Sequence, residues 1–367
     1  MQFNKINKFP KKIKSEINKN IFKVINGNQF ILGPEVQELE KKIKNMVGSK
    51  YCLGVSSGTD ALLISLMALN VKKNDEIIVP SFSWISTASV VKFLNAKAIF
   101  VDIEKETCNI NYKKIENKIT TKTKGIIFAS LFGNVPDVDK INKIAKKYNL
   151  FVIEDAAQSF GAKYKKRYSC NLTTIGCTSF FPSKPLGAYG DSGAIFTNNK
   201  KLFVKMKSIR IHGQTKRYHH EILGLNGRID TLQCAVLLAK IKYFNNELNL
   251  RKKKYLYYLS YFLKNNFKSI KLINYENFGR SAFSQFCILT KKRKFLTEKF
   301  KINKIPYAIY YPKTMDEQKI FRLKNYKFNK NSISASNEII SLPFSPYITK
   351  KEQDSVIKIF KKYKNYL

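Results

Sequence analysis

Between Val47 and Asn198, short apolar runs alternate with longer amphipathic stretches, and this alternation constrains the fold more than any other feature of the chain. The runs EIIVPS, AKAIFVDI, KGIIFAS and LFVIED are rich in Ile, Val and Phe. A strand without polar alternation must be covered on both faces, and in a parallel sheet helices provide that cover. The intervening segments DALLISLMAL, SWISTASVVKFL and VDKINKIAKKY have helical spacing. The expected class is therefore α/β, with a mainly parallel central sheet. Residues 200–245 also read as helical. From about Glu247 the texture changes to a long Tyr/Leu/Lys helix, then SQFCILT, IPYAIYY and a last amphipathic stretch after Pro343. This pattern predicts an N-terminal arm and large domain over 1–245 and a smaller α+β domain over 246–367.

With 367 residues, 44% of them hydrophobic, the chain can bury a large core. No apolar run reaches the roughly 18 residues that span a bilayer, and the basic N-terminus has no apolar region behind it. A cytoplasmic protein is expected. The six cysteines are scattered without a C-x-x-C pair, so they read as reduced packing residues and no metal is expected. The net charge of +41 raises nucleic acid or an anionic surface as a partner. Lysine is instead spread evenly beside Asn and Ile, as in KINKIAKKYN, and no nucleic-acid-binding pattern accompanies it. The charge reads as compositional drift, and no nucleic-acid partner is expected.

Three segments carry chemistry. Ser56-Ser57-Gly58-Thr59 stands between an apolar strand, YCLGV, and an apolar helix. Such a turn exposes free N–H groups and the positive end of a helix dipole, which suits a phosphate, although simple Ser/Thr capping explains it equally well. LFVIED ends a buried strand on Glu154 and Asp155, followed by two alanines and Gln158. An acid at the carboxyl end of a parallel strand lies where α/β sheets bind ligands, and the small alanines leave room for a flat ring. It could equally cap a helix. Lys184 lies in a Pro182-Ser183-Lys184-Pro185 turn between the apolar strands CTSFF and GAIFT. Lysine is usually a solvated surface charge, but desolvation in this setting lowers its proton affinity and makes it a nucleophile able to form a Schiff base.

Taken together, SSGTDAL, EDAAQSFGA, SFFPSKPLGAYGDSGA and RYHHEILGLNGRIDTLQ resemble the signature blocks of the DegT/DnrJ/EryC1/StrS nucleotide-sugar aminotransferases. The similarity runs from NQFILGPEVQELE to SLPFSPY. It implies the aspartate-aminotransferase fold of type I pyridoxal-phosphate (PLP) enzymes, with pyridoxamine phosphate as the alternate cofactor form. By position, the resemblance makes Lys184 the Schiff-base and proton-shuttling lysine. It pairs Asp155 with the pyridine nitrogen and Gln158 with the ring hydroxyl, and it sets Gly58, Thr59 and Ser179 around the phosphate. Trp84 would stack on the ring, with core packing as its blander role. Asn226 would reach the phosphate of a neighbouring subunit, so the resemblance implies a homodimer with shared active sites.

Within that family the chain looks most like the enzymes that aminate C3 of UDP-2-acetamido-3-keto-glucuronic acid with glutamate as donor. Residue matches there imply Asn28, Phe30, Ser183, Arg228, Tyr310 and Tyr311 as substrate contacts. Arg228 suits a carboxylate because its planar fork binds one bidentately, although pairing with Asp230 or a helix end would also occupy it. The chain departs from the family where His-Tyr-Pro is usual and Tyr310-Tyr311-Pro312 stands instead. The alternatives are an aminotransferase of UDP- or dTDP-linked 3- or 4-keto-6-deoxysugars and a regulatory PLP-binding protein. The family's sugar dehydratases carry His where Lys184 stands, which argues against that class.

Overall fold

The computed structural model describes residues 1–6, 8–275, 278–321 and 329–367. Seven strands form the central sheet: β1 (Tyr51–Val55), β2 (Glu76–Pro80), β3 (Lys97–Val101), β4 (Thr123–Ala129), β5 (Phe151–Asp155), β6 (Ile175–Ser179) and β7 (Gly193–Thr197). Their order is β1-β7-β6-β5-β4-β2-β3. All neighbouring pairs are parallel except the two that β7 makes, with β6 and with β1. The expectation of a mainly parallel sheet therefore holds, and the lysine turn belongs to the one antiparallel connection inside it.

The apolar runs are buried on both faces in strict alternation. Ile78, Ile126, Phe128, Val152 and Phe196 pack into one cluster with Val36, Leu39 and Ile141. Their chain neighbours Ile77, Val79, Ile127, Ile153 and Ile195 pack into another, with Leu62, Ile64 and Val90 of the covering helices. Each fully buried Ile or Val contributes roughly 1.5–3 kcal/mol relative to exposure, so a one-residue slip of any strand is strongly opposed. The predicted helices form as Gly58–Ala68, Ser86–Phe93 and Val138–Lys147.

Residues beyond 255 build a third apolar cluster around an antiparallel sheet of β8 (Ile270–Leu272), β9 (Phe286–Thr290) and β10 (Ile339–Leu342). Aromatic rings dominate it, among them Tyr258, Phe262, Phe286, Phe300 and Phe360, and Phe82 and Phe132 join from the central-sheet side. The long helix Phe244–Asn265 links the clusters, giving Phe244 and Leu248 to the first and Tyr255, Tyr258 and Phe262 to the third. IPYAIYY forms no regular strand; Ala308 makes a single bridge to Ser341, leaving the two tyrosines free to face the central sheet. Among the described residues no helix is long and apolar enough to cross a membrane.

Candidate active site

Asp155 ends β5 at the carboxyl edge of the sheet, and the side-chain alternation of a strand sends it and Glu154 to opposite faces. Glu154 goes into the core, where it accepts from Ser130 Oγ at 2.8 Å, Ser169 Oγ at 2.6 Å and the Cys170 amide at 2.8 Å. Asp155 goes to a cavity of about 410 Å³. There it accepts from Thr87 Oγ1 at 2.8 Å and the Ala157 amide at 3.2 Å. Burial pushes its carboxyl above the usual carboxylate range, while the Thr87 and Ala157 donors and the Lys184 charge pull it back. Asp155 is thus the acid available to a ligand, and Glu154 is a fully hydrogen-bonded strut.

Lys184 reaches the same cavity from the turn between β6 and β7. Its amide donates to the Phe181 carbonyl at 2.8 Å, closing the turn that Pro182 and Pro185 flank. Burial lowers the proton affinity of its amine, and Asp155 opposes that shift. A desolvated amine that shares a cavity with a carboxylate is suited to attack a carbonyl and then to carry a proton.

The cavity floor is the start of the helix Gly58–Ala68. Ser57 caps it by accepting from the Asp60 amide at 3.0 Å, and the Gly58 and Thr59 amides have no intrahelical carbonyl to meet. A Cβ placed on Gly58 would stand 2.7 Å from Ser179 Cβ, so only glycine leaves this cradle open. Ser179 Oγ accepts from the Phe181 amide at 3.2 Å and keeps its proton to donate; Thr59 Oγ1 pairs with Ser86 Oγ at 2.8 Å. Unpaired amides, a hydroxyl proton and a helix dipole fit a phosphate dianion.

Trp84, 56% exposed, stands at one wall with its ring 5.8 Å from that of Tyr311. Gln158 accepts from the Phe132 amide at 2.7 Å and donates to Tyr311 Oη at 3.1 Å. Tyr310 packs edge-on against Phe3 at 6.1 Å. The structure therefore brings Gly58, Thr59, Trp84, Asp155, Gln158, Ser179, Ser183, Lys184, Tyr310 and Tyr311 around one cavity. It does not bring Asn28, Phe30, Asn226 or Arg228 there. Arg228 bridges Val55 of the edge strand β1, Asn226 bridges Ile211, Ile31 bridges Asp230, the Thr231 amide donates to the Phe30 carbonyl at 3.0 Å, and Asn28 caps the helix Lys11–Gly27. Asn28 and Asn226 are exposed and Phe30 is 43% exposed, whereas the buried Nε of Arg228 has no hydrogen-bond partner among the described residues.

Sequence reasoning missed Thr87, Gln285 and Asp191 in or beside the cavity. Thr87 sits in a Ser/Thr-rich helix start that reads as ordinary capping. Its place in the helix that follows the carboxyl end of β2 was the available signal.

A mainly parallel sheet with a desolvated lysine on its antiparallel turn, an acid on the neighbouring strand end and an anion cradle at a helix start defines a type I PLP enzyme. The DegT/DnrJ/EryC1/StrS aminotransferase family profile matches residues 11–361, and the chain belongs to that family. It is 44% identical over 92% of its length, and 93% of the relative's, to a UDP-2-acetamido-2-deoxy-3-oxo-D-glucuronate aminotransferase of Pseudomonas aeruginosa. A DegT DnrJ EryC1 StrS aminotransferase from Brucella abortus superposes with a TM-score of 0.93 at 33% identity, covering 99% of both chains. A Bacillus subtilis protein solved with bound cofactor PMP gives a TM-score of 0.91 at 28% identity, covering 97% of this chain and 83% of that one. The protein is a PLP-dependent aminotransferase.

Thr87 donates to the charged form of Asp155, so removing its hydroxyl raises the Asp155 pKa further. If turnover uses the Asp155 carboxylate, activity on the acid side should fall away at a higher pH in Thr87→Val than in the parent. At its optimum the variant should be about tenfold slower, the scale of one hydrogen bond to a charged group. Thr87→Ser should restore both. A pH–rate profile with an unmoved acid limb would show that Thr87 only packs.

Proposed function

We propose that this enzyme transfers an amino group from glutamate to the C3 ketone of a UDP-linked 2-acetamido-3-keto-hexuronate. The product would be a 3-amino sugar nucleotide, made in the cytoplasm as a precursor of surface polysaccharide such as O-antigen. The observation that carries the reaction is the placement of the Lys184 amine and the Asp155 carboxylate in one cavity above an anion cradle. The choice of sugar is supported by the similarity to the Pseudomonas enzyme.

When bound, the cofactor supplies a carbonyl that exchanges amines and a conjugated ring that accepts the electron pair released at the reacting carbon. Gly58, Thr59 and Ser179 hold its phosphate in this reading. Asp155 keeps the ring nitrogen protonated, Gln158 meets the ring hydroxyl through an amide already fixed by Phe132 and Tyr311, and Trp84 covers one ring face. Lys184 Nζ takes the proton from the donor's α-carbon and returns one to C3 of the sugar in the second half-reaction. Tyr310, Tyr311 and Ser183 line the sugar's side of the cavity.

The remaining contacts come from a second copy. Asn226 and Arg228 lie in one extended strip outside this chain's cavity, as do Asn28 and Phe30, so in a homodimer they can enter the partner's site. Arg228, whose planar guanidinium fork can bind a carboxylate bidentately, is then the candidate partner of the uronate carboxylate. Residues 1–245 act as the cofactor-binding domain and 246–367 as the smaller domain in this assignment.

Borohydride reduction of the holoenzyme should fix the cofactor to the peptide containing Lys184, and Lys184→Ala should bind cofactor noncovalently without turnover. Peptide mapping that finds the label on another lysine would sink the assignment.

If sites are shared, mixing Lys184→Ala chains with Asn226→Ala chains should restore part of the activity, because one hybrid site receives both intact residues. The check is turnover after proven subunit exchange; no recovery argues against sharing.

The 3-keto-uronate should be preferred over its neutral 6-hydroxyl counterpart by roughly a hundredfold in kcat/KM, because the neutral sugar leaves a buried charge unpaired. Arg228→Ala should erase most of that preference. Equal rates on acidic and neutral sugars would move the substrate to the deoxysugar class and leave the cofactor chemistry standing.

A further inference from the structure

Lys240 is a buried charge to which the chemistry above gives no task. It lies in the helix Thr231–Ile241, is 4% exposed, and its Nζ donates to the Gly187 carbonyl. The Phe9 ring covers that ammonium at 4.5 Å. Gly187 closes the loop that carries Lys184: a Cβ there would stand 2.4 Å from the Pro182 carbonyl oxygen, and the next amide, Ala188, donates to the Phe180 carbonyl at 2.7 Å. At the other end of the loop Asn4 Nδ2 donates to the Ser183 carbonyl at 3.2 Å. The carbonyls one residue before and three residues after Lys184 are thus each held by a side chain remote in sequence.

The N-terminal arm that brings Asn4 and Phe9 is itself anchored. Phe3 accepts from the Phe344 amide at 3.1 Å, and Lys5 pairs with Glu352 at 2.5 Å. Lys240 is costly where it is. Burial pulls its ammonium down to about 8, Glu247 pushes it back up and Arg251 lowers it, while Glu247 also accepts from Tyr347 Oη at 2.5 Å. A methionine would fill the same space without desolvating a charge. The donor to Gly187 is what methionine lacks.

We propose that Lys240 and Asn4 are positioning residues that clamp the Lys184 turn at both of its ends and so fix where the reactive amine stands in the cavity. The proposal rests on the reading of Lys184 as the cofactor lysine. A turn with two of its carbonyls held has few ways to move, and an amine displaced by even about 1 Å loses alignment with the reacting carbon.

The test compares full-length Lys240→Met and Asn4→Ala with the parent by three readouts: amide hydrogen exchange of the 181–188 segment in the apoprotein, Tm, and kcat and KM of the holoenzyme. Exchange of the segment should quicken in both variants. Lys240→Met should keep or raise Tm while kcat falls about tenfold and KM stays within about twofold, since the defect is one of alignment. The double variant should lose less than the product of the single losses, because both residues restrain one segment. Unchanged exchange and kcat in Lys240→Met, or a kcat that falls only in step with Tm, overturns the proposal. Should Lys240→Met fail to fold, Asn4→Ala decides by the same readouts. Borohydride labelling of the parent separates the two ideas: label on another lysine refutes the reading of Lys184, whereas a segment indifferent to both substitutions refutes the clamp.

Discussion

The site depends on keeping a carboxylate and an amine desolvated in one cavity while each retains the protonation state that chemistry needs. Burial alone would protonate Asp155 and deprotonate Lys184. The fold offsets the first effect with donors fixed to the scaffold: a hydroxyl from the helix Ser86–Phe93 and the amide of Ala157. It leaves the second largely standing. The net shifts run in opposite directions, Asp155 upward and Lys184 downward, and the charge of each group opposes the shift of the other.

That division of labour explains the sheet. Parallel strands deliver their carboxyl ends to one edge, so β5 can present Asp155, β2 can lead into the Thr87 helix, and β1 can lead into the phosphate cradle, all on the same side. Lys184 comes from no parallel strand end, so its amine needs another way to the same edge. The antiparallel β6–β7 connection solves this by carrying the turn out over the edge and back. The aromatic cluster behind the small sheet brings Tyr310 and Tyr311 to the remaining wall and links the hydrogen-bonded Gln158 to it.

Much of this was legible in the sequence, for physical reasons. Buried strands have no polar alternation, so β2 to β5 stood out, and the helices between them had the spacing of one covered face. Asp155 was legible from its place at the end of such a run, and Lys184 from its two prolines. What could not be read were contacts between segments far apart in the chain. Thr87 resembles any helix cap until its partner 68 residues away is known. The need for glycine at 58 comes from Ser179, and the tie between Asn4 and Ser183 spans 179 positions. Lys240 is hidden for a different reason: among 67 basic residues, one lysine at the end of an apolar helix looks like another solvated cation.

The same excess of base gives the acids an unusual distribution of roles. With 26 acidic residues against 67 basic ones, an exposed acid meets a cation almost anywhere, and pairs such as Glu38 with Lys42 or Glu116 with Lys147 specify little. The informative acids are those with mainly neutral partners. Asp102 accepts from the Ser332 amide and hydroxyl and the Asn331 amide, joining the end of β3 to the helix Lys330–Glu338, and pairs with Lys114 at 2.9 Å besides. Glu154 joins β5 to the Ser169–Cys170 loop, and Asp155 joins it to the Thr87 helix. Hydrogen bonds from fixed, buried donors are little screened by salt, unlike the surface pairs. Glu154 and Asp155 are thus held mainly by fixed dipoles, with Lys184 the cation facing Asp155, so the geometry of the site depends little on how the remaining charge is screened.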